Sequence, residues 1–266
     1  MSLPDAIEIR ERIERVQDEK IRMFLKATYL LAARPRELTG KLDASAKTHN
    51  EIIYGPKGTD VFKAQTEPPD PHLKNVLGVI DEIKSEKISA EQAKADLSKK
   101  IPVAVFTIKI AKVELEPEEE PHFRLIALPM VKEFEPWTEQ LYNYFKKKNN
   151  NYVFPFAREK VWDHISHNEK IFEGLLYTIQ RYQRKVGEQR KTKNLPPRPR
   201  KVKLMALRFV REHELITKYD FSLDDLREFT GLILVLEALR LPVSPPKIVY
   251  GDWQRYIKKL CKVPKQ

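Results

Sequence analysis

Two short runs constrain this chain more than any other feature. Residues 103–111 (VAVFTIKIA) and 123–128 (FRLIAL) are dense in β-branched and aromatic side chains, which suit a pleated surface and crowd a helix. Between them stand Lys112, Val113 and the acidic string ELEPEEEPH, so the pair predicts a hairpin with a long acidic tip. On either side the apolar residues recur at helical spacing. Helices, then a small sheet, then helices predict an α+β chain: mainly α with a small antiparallel β-sheet.

Residues 4–33 read as one helix, with Ile9, Ile13, Val16, Ile21, Phe24, Leu25, Tyr29 and Leu31 on its apolar face and Pro35 beyond its end. Segment 39–71 is irregular. Residues 51–54 (EIIY) suggest a short strand, and Gly55-Pro56-Lys57-Gly58 and Pro68-Pro69-Asp70-Pro71 are turn punctuation. The GPKG string lacks the spacing and the Lys-Ser/Thr ending of a phosphate-cradling loop, so it reads as a turn. Short helices are expected at 72–84 and 89–99, the second opened by the capping box Ser89-Ala90-Glu91-Gln92. Further helices are expected at 135–148, 158–167, 169–184, 203–218, from Leu223 and at 252–262. The whole chain reads as one domain, with 39–100 resembling an insertion and 185–203 a basic, proline-containing loop.

The chain holds 49 Lys and Arg against 38 Asp and Glu, a formal net charge of +11. Such a field favours polyanions, nucleic acid before acidic membrane surface. The ten basic residues and single acid of 181–203 point to phosphate-backbone contact through Arg184, Lys185, Arg190, Lys191, Arg198, Arg200 and Lys201. One cysteine, Cys261, excludes an intrachain disulfide framework and a thiolate zinc cluster. Together with an N-terminus that lacks an apolar secretory core, it makes a reducing, cytoplasmic setting the expectation. No apolar run approaches bilayer length, so no membrane association is expected.

Several boxes then arrive in an order that resembles one family. Ala33-Arg34-Pro35-Arg36-Glu37-Leu38 ends a helix in Arg-x-x-Glu-Leu. The strand pair TIKIAK…FRLIALP carries a lysine at its turn. YFKKKNNNYVFPFAREKVWDHI follows, then MALRFVREHELITKYDFSLDDLREFTGL, and last KIVYGDWQRYIKKL. This succession resembles the catalytic domain of tyrosine recombinases (phage integrases), and its ending is closest to that of archaeal integrases. The resemblance runs from about Ala6 to Leu260, with 39–99 poorly matched.

What the resemblance implies is a site-specific recombinase that cleaves and rejoins duplex DNA through a 3′-phosphotyrosine. Tyr250 would be the nucleophile, with Tyr256 as the alternative. Arg34 and Arg208 would hold the scissile phosphate, and Lys112 would protonate the leaving 5′-oxygen. Guanidiniums stay charged and donate bidentately, which suits the charge gathered on the non-bridging oxygens. The phosphotyrosyl bond keeps the energy for rejoining, so no cofactor and no metal are implied. Self-association as a tetramer on DNA is implied as well. Two positions depart from the pattern. Met205 stands where the family carries histidine, and Leu232 where it carries histidine or tryptophan. Methionine can neither donate to a phosphate nor accept the tyrosine proton. A DNA-binding protein that kept the fold without catalysis is therefore the alternative. Beside these stand plain structural readings: Arg208 as a semi-buried residue paired with a carboxylate such as Glu37, Lys109 as a strand lysine, His164 and His167 as helix-surface residues.

Overall fold

The computed structural model describes residues 6–42, 52–67, 78–111 and 122–164 as continuous stretches, together with 74, 171, 207–208, 210–211, 231, 234–240, 254–255 and 257–258. Among them are seven helices, α1 (Ala6–Glu14), α2 (Glu19–Leu30), α3 (Pro35–Leu38), α4 (Val79–Lys84), α5 (Ala90–Ser98), α6 (Trp137–Lys146) and α7 (Arg158–His164), and three strands, β1 (Val61–Gln65), β2 (Pro102–Lys109) and β3 (Phe123–Pro129). Residues 234–239 are helical too. The α+β expectation holds at this level: helices with one three-stranded antiparallel sheet of order β1-β2-β3. Among the described residues no helix is long and apolar enough to cross a membrane.

The single helix expected over 4–33 is two. Asp18 leaves helical geometry (φ −67°, ψ 110°), and its carboxylate accepts from the backbone N–H groups of Lys20 and Ile21. That is an N-cap, and it starts α2 afresh. The strand expected over 51–54 is absent from its described part, Ile52–Tyr54, which forms no ladder. The strand of this region lies ten residues later, as β1. It pairs with β2 from Val61↔Phe106 to Gln65↔Pro102, so the poorly matched segment contributes an edge of the sheet. The capped helix at Ser89 forms as expected, with Ser89 Oγ accepting from Gln92 N–H. The hairpin strands also form, in register from Val103↔Pro129 to Lys109↔Phe123.

The core is built around aromatic contacts. Phe24 of α2 meets Phe154 edge-on at 5.3 Å, Phe154 meets Phe145 of α6 at 5.9 Å, and Phe145 meets Phe106 of β2 at 5.1 Å. Helix, sheet and the 152–156 loop are thus joined by edge-to-face geometry, each pair worth roughly 0.5–1.5 kcal/mol beyond area burial. The GPKG segment is a close-packed crossing. Gly55 N–H donates to Thr39 O, Gly58 N–H to Asn151 O, and Val153 N–H to Pro56 O. A methyl group on Gly58 would stand 2.3 Å from Phe145 O, so only glycine fits there.

A second polar knot lies under α1. Lys26, almost fully buried, donates to Glu14 at 2.7 Å and to Gln140 at 2.6 Å, while Trp137 Nε1 donates to the same Glu14 oxygen at 2.6 Å. Burial pushes the Lys26 ammonium below its ordinary pKa against the pull of Glu14. Burial also pushes the Glu14 carboxyl up, but the Lys26 and Trp137 hydrogen bonds outweigh it and leave the pKa lowered.

Candidate functional site

The arginine box sits where α2 ends. Leu31 closes the helix, and Ala32 turns the chain in the left-handed region at φ 44°, a conformation that costs an alanine roughly 1 kcal/mol. Pro35 follows at the first position of α3 and bars Arg34 from helical geometry. Arg34 is accordingly extended (φ −69°, ψ 142°) and caps α3. Its backbone N–H donates to Glu37 Oε2 at 2.9 Å, and its guanidinium lies 3.7 Å from Glu37 Oε1, with the side chain 21% exposed.

Glu37 is fully buried and acts as the hub. Its Oε1 accepts from Ala111 N–H at 3.3 Å, and its Oε2 from Arg124 Nη2 at 3.3 Å. Arg124 Nη2 also donates to Leu31 O at 3.2 Å. One carboxylate thereby joins the end of α2, the start of α3, the hairpin base and β3. Arg124 was not among the residues singled out from sequence. The signal was there: a period of two puts it on the same face of β3 as Ile126 and Leu128, which line the core. An inward-facing charge in a strand needs a buried partner.

Arg208 is helical and buried at 8% exposure. Its neighbours Leu207 and Val210 belong to the core cluster. One turn on, buried Arg211 holds its guanidinium 5.4 Å from the ring centre of Tyr29 in α2. Arg10 approaches the same ring at 5.2 Å and is itself tied to Glu135 at 2.6 and 2.8 Å. The second arginine box therefore lies against α2, whose C-terminal end delivers Arg34.

The remaining boxes meet the sheet at β3. A methyl group on Gly231 would come 2.3 Å from Ala127 O, so the chain at 231 touches strand backbone. Gln254 completes the open edge of β3: its amide accepts from Leu125 N–H at 3.2 Å and donates to Leu125 O at 2.9 Å. Leu125 faces Thr107 across the ladder, and its own N–H and C=O point outward, where Gln254 supplies the pair a further strand would give.

Lys112, Met205, Leu232, Tyr250, Tyr256 and the basic run Arg184, Lys185, Arg190, Lys191, Arg198, Arg200 and Lys201 lie outside the described residues. Lys109 holds its ammonium 6.0 Å from the Phe123 ring centre, which agrees with its reading as a strand lysine. Among the described residues no group of three or more His, Cys, Asp or Glu is arranged to hold a metal ion. Neither the known protein families, nor the curated proteins, nor the solved structures contain a match to this chain.

Proposed function

We propose that the chain is a DNA strand-exchange enzyme of the tyrosine recombinase type. The observation that carries the reading is the Glu37 hub: the carboxylate three residues after Arg34 also binds Ala111, the residue before Lys112. Boxes 74 residues apart in sequence are thus pinned to one point. Gly231 against Ala127 and Gln254 against Leu125 give the same support for the C-terminal boxes, since Tyr250 stands four residues before Gln254 in sequence.

In the proposed reaction Tyr250 attacks a DNA phosphodiester. The phenol gives its proton to solvent, a bond forms between its oxygen and phosphorus, and the bond to the 5′-oxygen breaks. Lys112 gives that oxygen its proton. Arg34 and Arg208 donate to the non-bridging oxygens, where charge develops. Reversal of the same steps rejoins the strand, and the protomers assemble on paired sites. Met205, in place of the family's histidine, supports a second reading in which the chain binds DNA without cutting it.

A duplex nicked just 3′ of the scissile phosphate decides between them, because loss of the short product traps the covalent intermediate. The enzyme reading predicts a protein–DNA adduct that survives denaturant and is absent in Tyr250→Phe. Arg34→Ala should slow its formation by on the order of 10²–10³-fold. Sequence-specific binding with no adduct would establish the binding module instead.

A further inference from the structure

Tyr29 touches both arginine boxes. Its carbonyl oxygen accepts from Ala32 N–H at 3.3 Å, and Ala32 is the left-handed residue that turns the chain toward Arg34. Its ring centre lies 5.4 Å from the guanidinium of Arg211, which stands three residues after Arg208 in the same helix. One residue of α2 thus meets the first box through its backbone and the second through its side chain.

The ring is a fixed seat. It is fully buried and meets Trp137 edge-on at 5.9 Å. Arg10 lies close to both rings, 5.2 Å from the centre of Tyr29 and 4.6 Å from that of Trp137, and its two hydrogen bonds to Glu135 hold it there. Glu135 also accepts from Trp137 N–H at 3.2 Å. Arg211 itself is 2% exposed, too little for a contact with DNA. An apolar side chain at this position would pack on α2 over a range of helix rotations, because burial of apolar area is non-directional. A planar guanidinium instead prefers the face of a ring, which selects one rotation. Residues three apart share one side of a helix, so the rotation that seats Arg211 also fixes where Arg208 stands. Replacing buried ions by apolar residues is often neutral or stabilising, so a guanidinium kept here serves register rather than stability.

We infer that Arg211, seated on the Tyr29 ring, is a positioning residue that sets Arg208 relative to Arg34. The inference rests on the reading of the chain as a strand-exchange enzyme and adds to it a residue that touches no DNA. Misplacing a reacting group by about 1 Å costs on the order of 10²-fold in rate. Duplex affinity is spread over many phosphate contacts and depends far less on the placement of one arginine. Loss of the seat therefore lowers the rate of cleavage and spares binding.

The test is the single-turnover rate of adduct formation on the nicked duplex, measured over a range of concentrations of the full chain. A urea titration shows each variant folded at the assay temperature, so that a lower rate is not a lower folded fraction. Arg211→Met keeps the volume and removes the charge. Its rate constant at saturating protein should fall by on the order of 10²-fold, with the half-saturating concentration unchanged. Arg211→Gln carries the same prediction should the Met variant fail to fold. Arg211→Lys keeps a cation for the ring and should recover part of the rate. Tyr29→Phe, which keeps the ring, should match the unaltered chain, and Tyr29→Leu added to Arg211→Met should slow it no further, because both remove one contact. An unchanged rate in Arg211→Met overturns the inference. So does a loss carried by the half-saturating concentration alone, or one that Arg211→Lys does not relieve. No adduct from the unaltered chain removes the recombinase and this inference together. Adduct at equal rates from the unaltered chain and Arg211→Met removes this inference alone.

Discussion

Arg124 is the residue on which the site's architecture depends. It is 1% exposed and its carboxylate partner Glu37 is fully buried. Removing one partner of such a pair leaves a charge in the interior without its main compensation, at about 3–5 kcal/mol. Arg124→Met should therefore lower the free energy of unfolding, read from a urea titration, by that much, whereas truncating the exposed Arg15, an i,i+4 partner of Glu11, should change stability by less than about 0.5 kcal/mol. Equal effects at the two positions would remove Glu37 from its place as hub. Tyr144 shows the opposite case. Its hydroxyl is buried with no hydrogen-bond partner among the described residues, so Tyr144→Phe should be neutral or stabilising by up to about 1 kcal/mol. Burial, then the charges of Glu19 and Asp18, push its pKa to about 12. Ionising this buried phenol costs more in the folded chain than in the unfolded one, so stability is unaffected below pH 10 and falls as the pH climbs toward 12. The Phe variant should lose that part of the alkaline slope, as read from unfolding midpoints between those two values.

At the scale of elements, local chemistry was legible and interruption was not. Ser89 announced its helix through the capping box, and the β-branched runs announced β2 and β3. Nothing in the apolar spacing of Ile13, Val16 and Ile21 betrayed the break between α1 and α2, because a single N-cap, Asp18, restarts the helix without glycine or proline. Asp18→Ala should cost about 1 kcal/mol, measurable in the same unfolding titration. Strand β1 went unread because Lys63 and Gln65 are exposed, as expected of an edge, and its partner β2 lies about forty residues on. The C-terminal boxes reach the sheet through contacts no pattern encodes. Gly231→Ala would force a methyl group to within 2.3 Å of Ala127 O, and overpacking of that kind should cost about 1–3 kcal/mol. Of the site, Arg34 and its extended geometry could be read from the Arg-Pro pair, while Arg124 required knowing which face of β3 is inward.

Across the whole molecule, charge is organised into two kinds. Inside, cations are paired or stacked: Lys26 with Glu14, Arg124 with Glu37, Arg10 with Glu135, Arg211 on Tyr29. Outside, exposed cations also pair with carboxylates, as Lys100 does with Glu67, and the full sequence keeps a net charge of +11 for a polyanion. The pH dependence of stability should reflect the first kind. The Glu14 carboxyl has a folded pKa below 4.5, so what it contributes is present above that value and lost as pH falls through the folded one. Glu14→Gln should flatten the acid limb of the stability profile in that window.

The central claim is that the phenol at 250 becomes covalently joined to DNA beside the Arg34 clamp. Trypsin separates the two candidate tyrosines, since Tyr250 falls in Ile248–Arg255 and Tyr256 in the peptide that follows. Mass spectrometry of the trapped, nuclease-trimmed adduct should find the nucleotide remnant on the Tyr250 peptide. A remnant on another residue, or none on the protein at all, would contradict the account.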